Sequence, residues 1–216
     1  MHVNRVVTLA ALYGAGGSVI GPRIAERLSV PFLDRAIPTA VLKRAGLSEV
    51  AAESDEEPRS RWDEIVEALA RASPPTGASG HGADFDLEER RLHADVERFL
   101  ADASRVGGVV LGRAGAVVLA SAPGALHVYL GGDRERRIER IMNLTGKDRA
   151  TAAREVKAHD RARRDYVSSV YGIEGDNPSL YHLMIDAVSL GIDVCVDLIV
   201  AASESLARDP LPAAPA

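Results

Sequence analysis

An α/β fold built on a mainly parallel sheet of about five strands is what this 216-residue sequence predicts. Three observations carry the prediction. Strand-like and helical patterns alternate along the chain. The first strand runs into a glycine-rich turn and then a helical stripe. The composition, 46% hydrophobic and 26% charged, is that of a globular protein with one sizeable core, or one domain with an inserted lobe.

The first strand is the β-branched apolar run Val6–Ala10. It leads into Tyr13-Gly14-Ala15-Gly16-Gly17-Ser18. Ile20, Ile24 and Leu28 then recur at the four-residue spacing of one helix face, which predicts a helix over Ser18–Leu28. Strand, glycine-rich turn and helix together aim backbone N–H groups and the positive end of a helix at a phosphate. A tight turn asks for glycine with or without a ligand. A Walker A loop reads G-x-x-x-x-G-K-[ST]. Ala11–Ser18 matches it at Gly16 and Ser18 only, because Ala11 stands at the first glycine and Gly17 at the lysine. The dinucleotide fingerprint G-x-G-x-x-G fits Gly14 and Gly16 but meets Val19 at its third glycine, with Asp34 at the distance of a ribose contact.

Pro31–Leu33 is the second strand, and Asp34 and Arg35 follow it at a carboxyl end, where open α/β sheets gather ligands. An exposed ion pair would read the same way. Residues 38–105 form an insertion with helices expected at Thr39–Ala45, Arg61–Arg71 and Leu87–Ser104, the last carrying the stripe Leu92, Val96, Phe99 and Leu100. Inside it, Glu49–Glu57 holds five acids, and Ser73–Ala83 is a linker too rich in glycine, proline and serine to bury a core. The third strand, Gly108–Leu111, ends in Gly112-Arg113, where glycine clears space and arginine can grip a phosphate with two parallel hydrogen bonds. Leu111 stands where a Walker B strand offers magnesium an aspartate. Strands at Leu126–Leu130 and His182–Ile185 and helices at Arg134–Leu144, Asp148–Val170 and Ile192–Ala207 complete a single domain over residues 1–208. The tail Asp209–Ala216 is expected to be disordered.

Charge and composition narrow the function. A net charge of −5 argues against nucleic acid and anionic membranes. Cys195 is the only cysteine, so no internal disulfide forms, and its place on the apolar stripe of the last helix marks it as a core residue. Six scattered histidines without an H-x-x-x-H pair argue against a transition-metal enzyme. The N-terminus lacks the architecture of a signal peptide, and Gly107–Leu130 is too interrupted to span a bilayer, so a cytoplasmic location is expected. The main charge feature is Asp133–Asp165, with eleven Lys or Arg against seven Asp or Glu. Arg134 and Arg137 are read on a different helix face from Ile138 and Ile141, as solvated charge. Asp160, Arg161, Arg163 and Arg164 form a cluster suited to a polyphosphate.

In order and spacing, YGAGGSVIGPRIAERL, PFLDRAI, VVLGRAG, PGALHVYLGGDRERRIERIM, HDRARRDYV and GDNPSLYHLMIDAVSLGID resemble the cytidylate-kinase-like family of P-loop nucleoside monophosphate kinases. The resemblance implies a P-loop kinase-like three-layer fold, an acceptor-binding lobe from the insertion, and a helical lid over residues 145–171. It implies that Gly14, Ala15, Gly16, Gly17 and Ser18 wrap the donor phosphates, while Asp34, Arg35, Gly112 and Arg113 face the acceptor. Arg161 and Arg164 would reach the transferring phosphoryl group, Ser18 would hold Mg²⁺, and ATP would be the donor. Asp186 would lie near the site without an assigned role. Kinases of this branch that lack the loop lysine resemble S-R-x-Y-G-S-G-G-S, and Ala11 stands at that arginine, so the Walker A loop is degenerate.

Three readings follow. The first is a phosphotransferase acting on a nucleoside monophosphate (CMP-like) or a similar small acceptor. The second is a catalytically degenerate kinase fold that binds nucleotides or regulates, in which Gly17→Lys could create activity, whereas a competent site would be disturbed by it. The third is a dinucleotide-binding protein. Nucleotides are the expected partners, with a homodimer left open and neither nucleic acid nor membrane expected.

Overall fold

The computed structural model describes residues 5–34, 98, 100, 101, 105–112 and 114–208. Five short apolar runs become the strands β1 (Val6–Ala11), β2 (Phe32–Asp34), β3 (Gly108–Leu111), β4 (Ala125–Gly131) and β5 (Leu183–Asp186). They form one sheet in the order β2-β3-β1-β4-β5, and every neighbouring pair is parallel. The connecting helices are α1 (Gly17–Leu28), α2 (Gly115–Val118), α3 (Arg134–Thr145), α4 (Arg149–Tyr171), α5 (Ala187–Leu190) and α6 (Ile192–Arg208), with a 3₁₀ turn at Pro178–Leu180. The α/β class and the five-stranded parallel sheet are as the sequence predicts.

Alternation along the strands divides the core between two faces. On one, Leu9, Leu111, Val128 and Leu130 pack with Ile20 and Ile24 of α1 and with Cys195 and Ile199 of α6. Cys195 is fully buried there, and burial pushes its thiol pKa up. On the other face Val6, Val110 and Ala125 meet Leu100 and Leu119. Of the stripe expected around Leu100, the residues Leu92, Val96 and Phe99 lie outside the described residues, as do the helices expected at 39–45 and 61–71, the linker 73–83 and the tail 209–216.

The second face also holds a buried polar group. Thr8 of β1 hydrogen-bonds His127 of β4 at 2.8 Å, and the backbone N–H of His127 donates to Nδ1 of His182 at 3.0 Å. The two imidazoles stack at 5.0 Å between centroids. Burial and the neighbouring His182 lower the pKa of His127 to about 4.

Small differences from the sequence reading have local causes. The second strand runs Phe32–Asp34 rather than Pro31–Leu33, since proline has no N–H to give to a ladder. Asp148 caps α4 from outside, accepting from Thr151 N–H, just as Asp133 caps α3 by accepting from Glu135 and Arg136. The one-turn elements α2, α5 and Pro178–Leu180 are too short to show a period.

Candidate functional site

A parallel sheet brings all its carboxyl ends to one edge, and β1 lies at its centre. The chain leaves β1 for β2 and β3 on one side and for β4 and β5 on the other, so this edge has a topological switch point beside β1. Residues 12–16 lie there. Leu12 N–H donates to Leu130 O at 2.9 Å, and Ala15 N–H closes a turn on Leu12 O at 3.0 Å. Gly14 and Gly16 have φ of +81° and +87°, which only glycine adopts without strain. Gly16 is the N-cap of α1, and no side chain caps that helix. Its free N–H groups and positive end therefore face the site.

The same edge collects most of the other expected residues. Ser18 is exposed in the first turn of α1. Asp34 ends β2, in register with Leu111. Gly112 follows β3 with a φ of +83°, its N–H bound to Leu9 O at 2.7 Å. Asp186 ends β5 and is occupied as the cap of α5, where hydrogen bonds from Ser189 hold its carboxyl below the usual range. Arg35 and Arg113 lie outside the described residues.

The absence of a lysine at position 17 has a spatial cause. A Cβ added at Gly17 would lie 2.6 Å from Ala11 Cβ and 3.0 Å from Leu111 Cδ1. Positions 11 and 17 compete for the same space, so a side chain at 11 requires glycine at 17. Lysine at 17 therefore has to displace Ala11 and Leu111 before it can act as a cation.

The charged stretch 133–165 also needs correction. Arg137, read as solvated, is buried, and so is Asp160, read as part of a phosphate-binding cluster. They pair at 3.1 and 2.8 Å. Arg137 also donates to Gly132 O at 3.2 Å and Tyr13 O at 3.0 Å, while Tyr13 N–H donates to Asp160 at 3.3 Å. The pair thus holds both ends of the Tyr13 residue that enters the loop, and the Tyr13 ring stacks on His159 at 4.1 Å. Arg163 also turns inward, donating to Gly175 O and Tyr181 Oη and lying 5.2 Å from the Tyr129 ring centroid. Arg161 and Arg164 are the exposed members of the cluster.

One signal for the buried arginine was present in the sequence. Arg137 precedes Ile141 by four residues, so the two share a helix face. A second residue that sequence reasoning missed is Arg140, whose guanidinium lies against Gly16. Nothing in the sequence pairs those two positions.

Among the described residues, no group of three or more His, Cys, Asp or Glu could hold a metal, and no helix is long and apolar enough to cross a membrane.

Residues 6–189 match the model of the cytidylate kinase-like family. Among curated proteins, the chain is similar to a uronate isomerase from Corynebacterium glutamicum, 36% identical over 103 residues, 48% of this chain and 20% of that protein. It is similar to a shikimate kinase from Zymomonas mobilis, 32% identical over 89 residues, 41% of this chain and 51% of that one. A cytidylate kinase from Methanopyrus kandleri is 24% identical over 213 residues, 94% of this chain and 95% of that protein. The chain thus spans a fifth of the first relative and about half of the second. Among solved structures, a protein from Eubacterium ventriosum superposes with a TM-score of 0.64 at 16% identity, covering 93% of this chain and 98% of that one. A gluconokinase from Sinorhizobium meliloti does so at 0.55 and 19%, covering 97% of each. At these identities the likeness is one of fold.

Proposed function

The chain belongs to the cytidylate kinase-like family, and from that premise we propose that it is a phosphotransferase. It moves the γ-phosphoryl group of ATP to a nucleoside monophosphate of the CMP type or a similar small acceptor. The observation that supports this best is the uncapped start of α1 at the left-handed Gly16, beside the central strand. There, backbone N–H groups of Gly14, Gly16, Gly17 and Ser18 receive the donor phosphates at no cost in reorganisation, while the N–H of Ala15, expected among them, is held by Leu12 O and shapes the turn.

In the transfer an acceptor phosphate oxygen attacks the γ-phosphorus. The bond to the β–γ bridging oxygen breaks, and its electron pair leaves with ADP. Chemistry of this kind asks the protein for positioning and charge rather than covalent help. Asp34, Arg35, Gly112 and Arg113 orient the acceptor. Arg161 and Arg164, exposed on α4, neutralise charge on the transferring group when the helical segment 145–171 closes and excludes water. Mg²⁺ would neutralise the phosphate oxygens when bound. One hydroxyl, Ser18 Oγ, suits an ion that takes most of its ligands from phosphate and water.

The test is a coupled transfer assay with ATP, Mg²⁺ and CMP, UMP, AMP, GMP and their deoxy forms, with thermal shift on the same samples. Turnover with at least one acceptor is expected. Stabilisation by nucleotide without turnover overturns the transfer reaction in favour of a binding module, and no response overturns both.

A further inference from the structure

We propose that Arg140 supplies the cation that the phosphate loop lacks, a role that rests on the kinase reading above. Residues 11–18 contain no Lys or Arg, and position 17 has no room for one while Ala11 Cβ lies 2.6 Å from where its own Cβ would be. A cation must therefore come from another element. Arg140 of α3 meets that requirement. A Cβ built on Gly16 would lie 2.9 Å from Arg140 Nη2 and 3.2 Å from both Cζ and Nη1. The guanidinium thus rests on Gly16, the N-cap of α1.

The surrounding contacts explain why the arginine lies there. The loop approaches α3 so closely that a Cβ on Gly14 would meet Arg137 O at 3.0 Å and Ile141 Cγ1 at 3.3 Å. One turn before Arg140, the buried Arg137 is tied to Asp160, Gly132 O and Tyr13 O. The helix is therefore fixed against the loop, and the next residue on that side meets the next glycine. Gly16 is glycine for two reasons: its φ of +87° and the guanidinium lying on it.

The chemistry follows from the charge and shape of the group. Arginine stays protonated and presents several N–H donors in one plane, which suits phosphate oxygens carrying spread charge. A half-buried Arg140 beside the uncapped helix end adds a full positive charge to the partial one of the backbone. A side chain delivered from α3 then does what lysine does from within a standard loop.

The test compares wild type, Arg140→Ala and Arg140→Lys for Mg·ATP affinity, adenosine affinity, turnover and melting temperature. Arg140→Ala is expected to lose on the order of 10²–10³ in kcat, as when one comparable donor is removed. Its ATP affinity should fall roughly tenfold or more while adenosine affinity stays within about twofold. Arg140→Lys, which keeps the charge and loses the planar fork, should fall between, and it stands in for Arg140→Ala if that variant fails to fold. Equal weakening of ATP and adenosine overturns the assignment, since Arg140 then contacts the base. So does retention of both kcat and ATP affinity in Arg140→Ala. A wild-type chain that neither binds ATP nor transfers phosphoryl removes the kinase reading itself.

Discussion

Residues 11–18 carry no charged side chain, whereas residues 133–165, folded against them as parts of α3 and α4, carry eleven Lys or Arg and seven Asp or Glu. The loop is shaped by backbone alone, with two glycines in left-handed conformations and a helix start without a side-chain cap. The helical pair holds the ionic contacts. They range from the buried Arg137–Asp160 pair to partly exposed Lys147–Glu155 and exposed Arg149–Glu135. The difference teaches how the proposed phosphate site would divide its work. One element fixes where donors point, and the other supplies charge. Close packing at glycine joins the two.

Breaking that junction gives the largest expected effect. Asp160→Ala leaves Arg137 buried without its carboxylate, and removing one partner of a buried pair costs about 3–5 kcal/mol. Chemical denaturation should show a loss of that size. A loss within the range of exposed pairs, below about 1 kcal/mol, would mean that the loop and helices hold together without it.

Acid sharpens the comparison from the strand beneath the loop. Thr8 of β1 bonds His127, whose pKa is lowered from 6.5 to about 4 by burial and by His182. The unfolded chain takes up this proton near pH 6.5, and the folded chain does so only near pH 4. The stability it contributes is full above pH 6.5 and is lost as pH falls between those values, on the order of 3 kcal/mol in all. Melts of wild type and His127→Gln across that window should differ in slope, the variant being flatter. Parallel curves would show that His127 does not carry the acid sensitivity.

The smallest expected effect lies inside the loop. Gly17→Ala pushes a methyl group onto Ala11 Cβ and Leu111, and overpacking of this kind costs about 1–3 kcal/mol. Ala11→Gly in the same chain removes one of those neighbours, so the double variant should recover part of the loss. Simple additivity would show that the two positions do not share space.

Much of this was legible in the sequence, for reasons that are local. Val6–Ala10, Gly108–Leu111 and Leu126–Leu130 announce strands because each is a short, mainly apolar run, the last two closely flanked by glycine. Ile20, Ile24 and Leu28 announce α1 because helical period is a property of a short window. Gly14 and Gly16 mark the loop because a positive φ selects glycine directly. Arg137 was misread because charge outweighed its four-residue spacing from Ile141. The grouping of Asp160 with Arg161, Arg163 and Arg164 failed for a related reason, since neighbours in sequence point to different sides of a helix.

By itself, then, the sequence determined the parallel sheet, the glycine-rich turn at its centre and membership of the kinase-like family. Those follow from periodicity and backbone preference within short segments, strung in a fixed order. Only the tertiary structure decided which charges meet the loop. Arg137 reaches Asp160 across 23 residues and Tyr13 across 124, and Arg140 finds Gly16 only because α3 is seated there. A buried charge is placed by its partner and by the space a distant glycine leaves, and neither is recorded in the residues beside it.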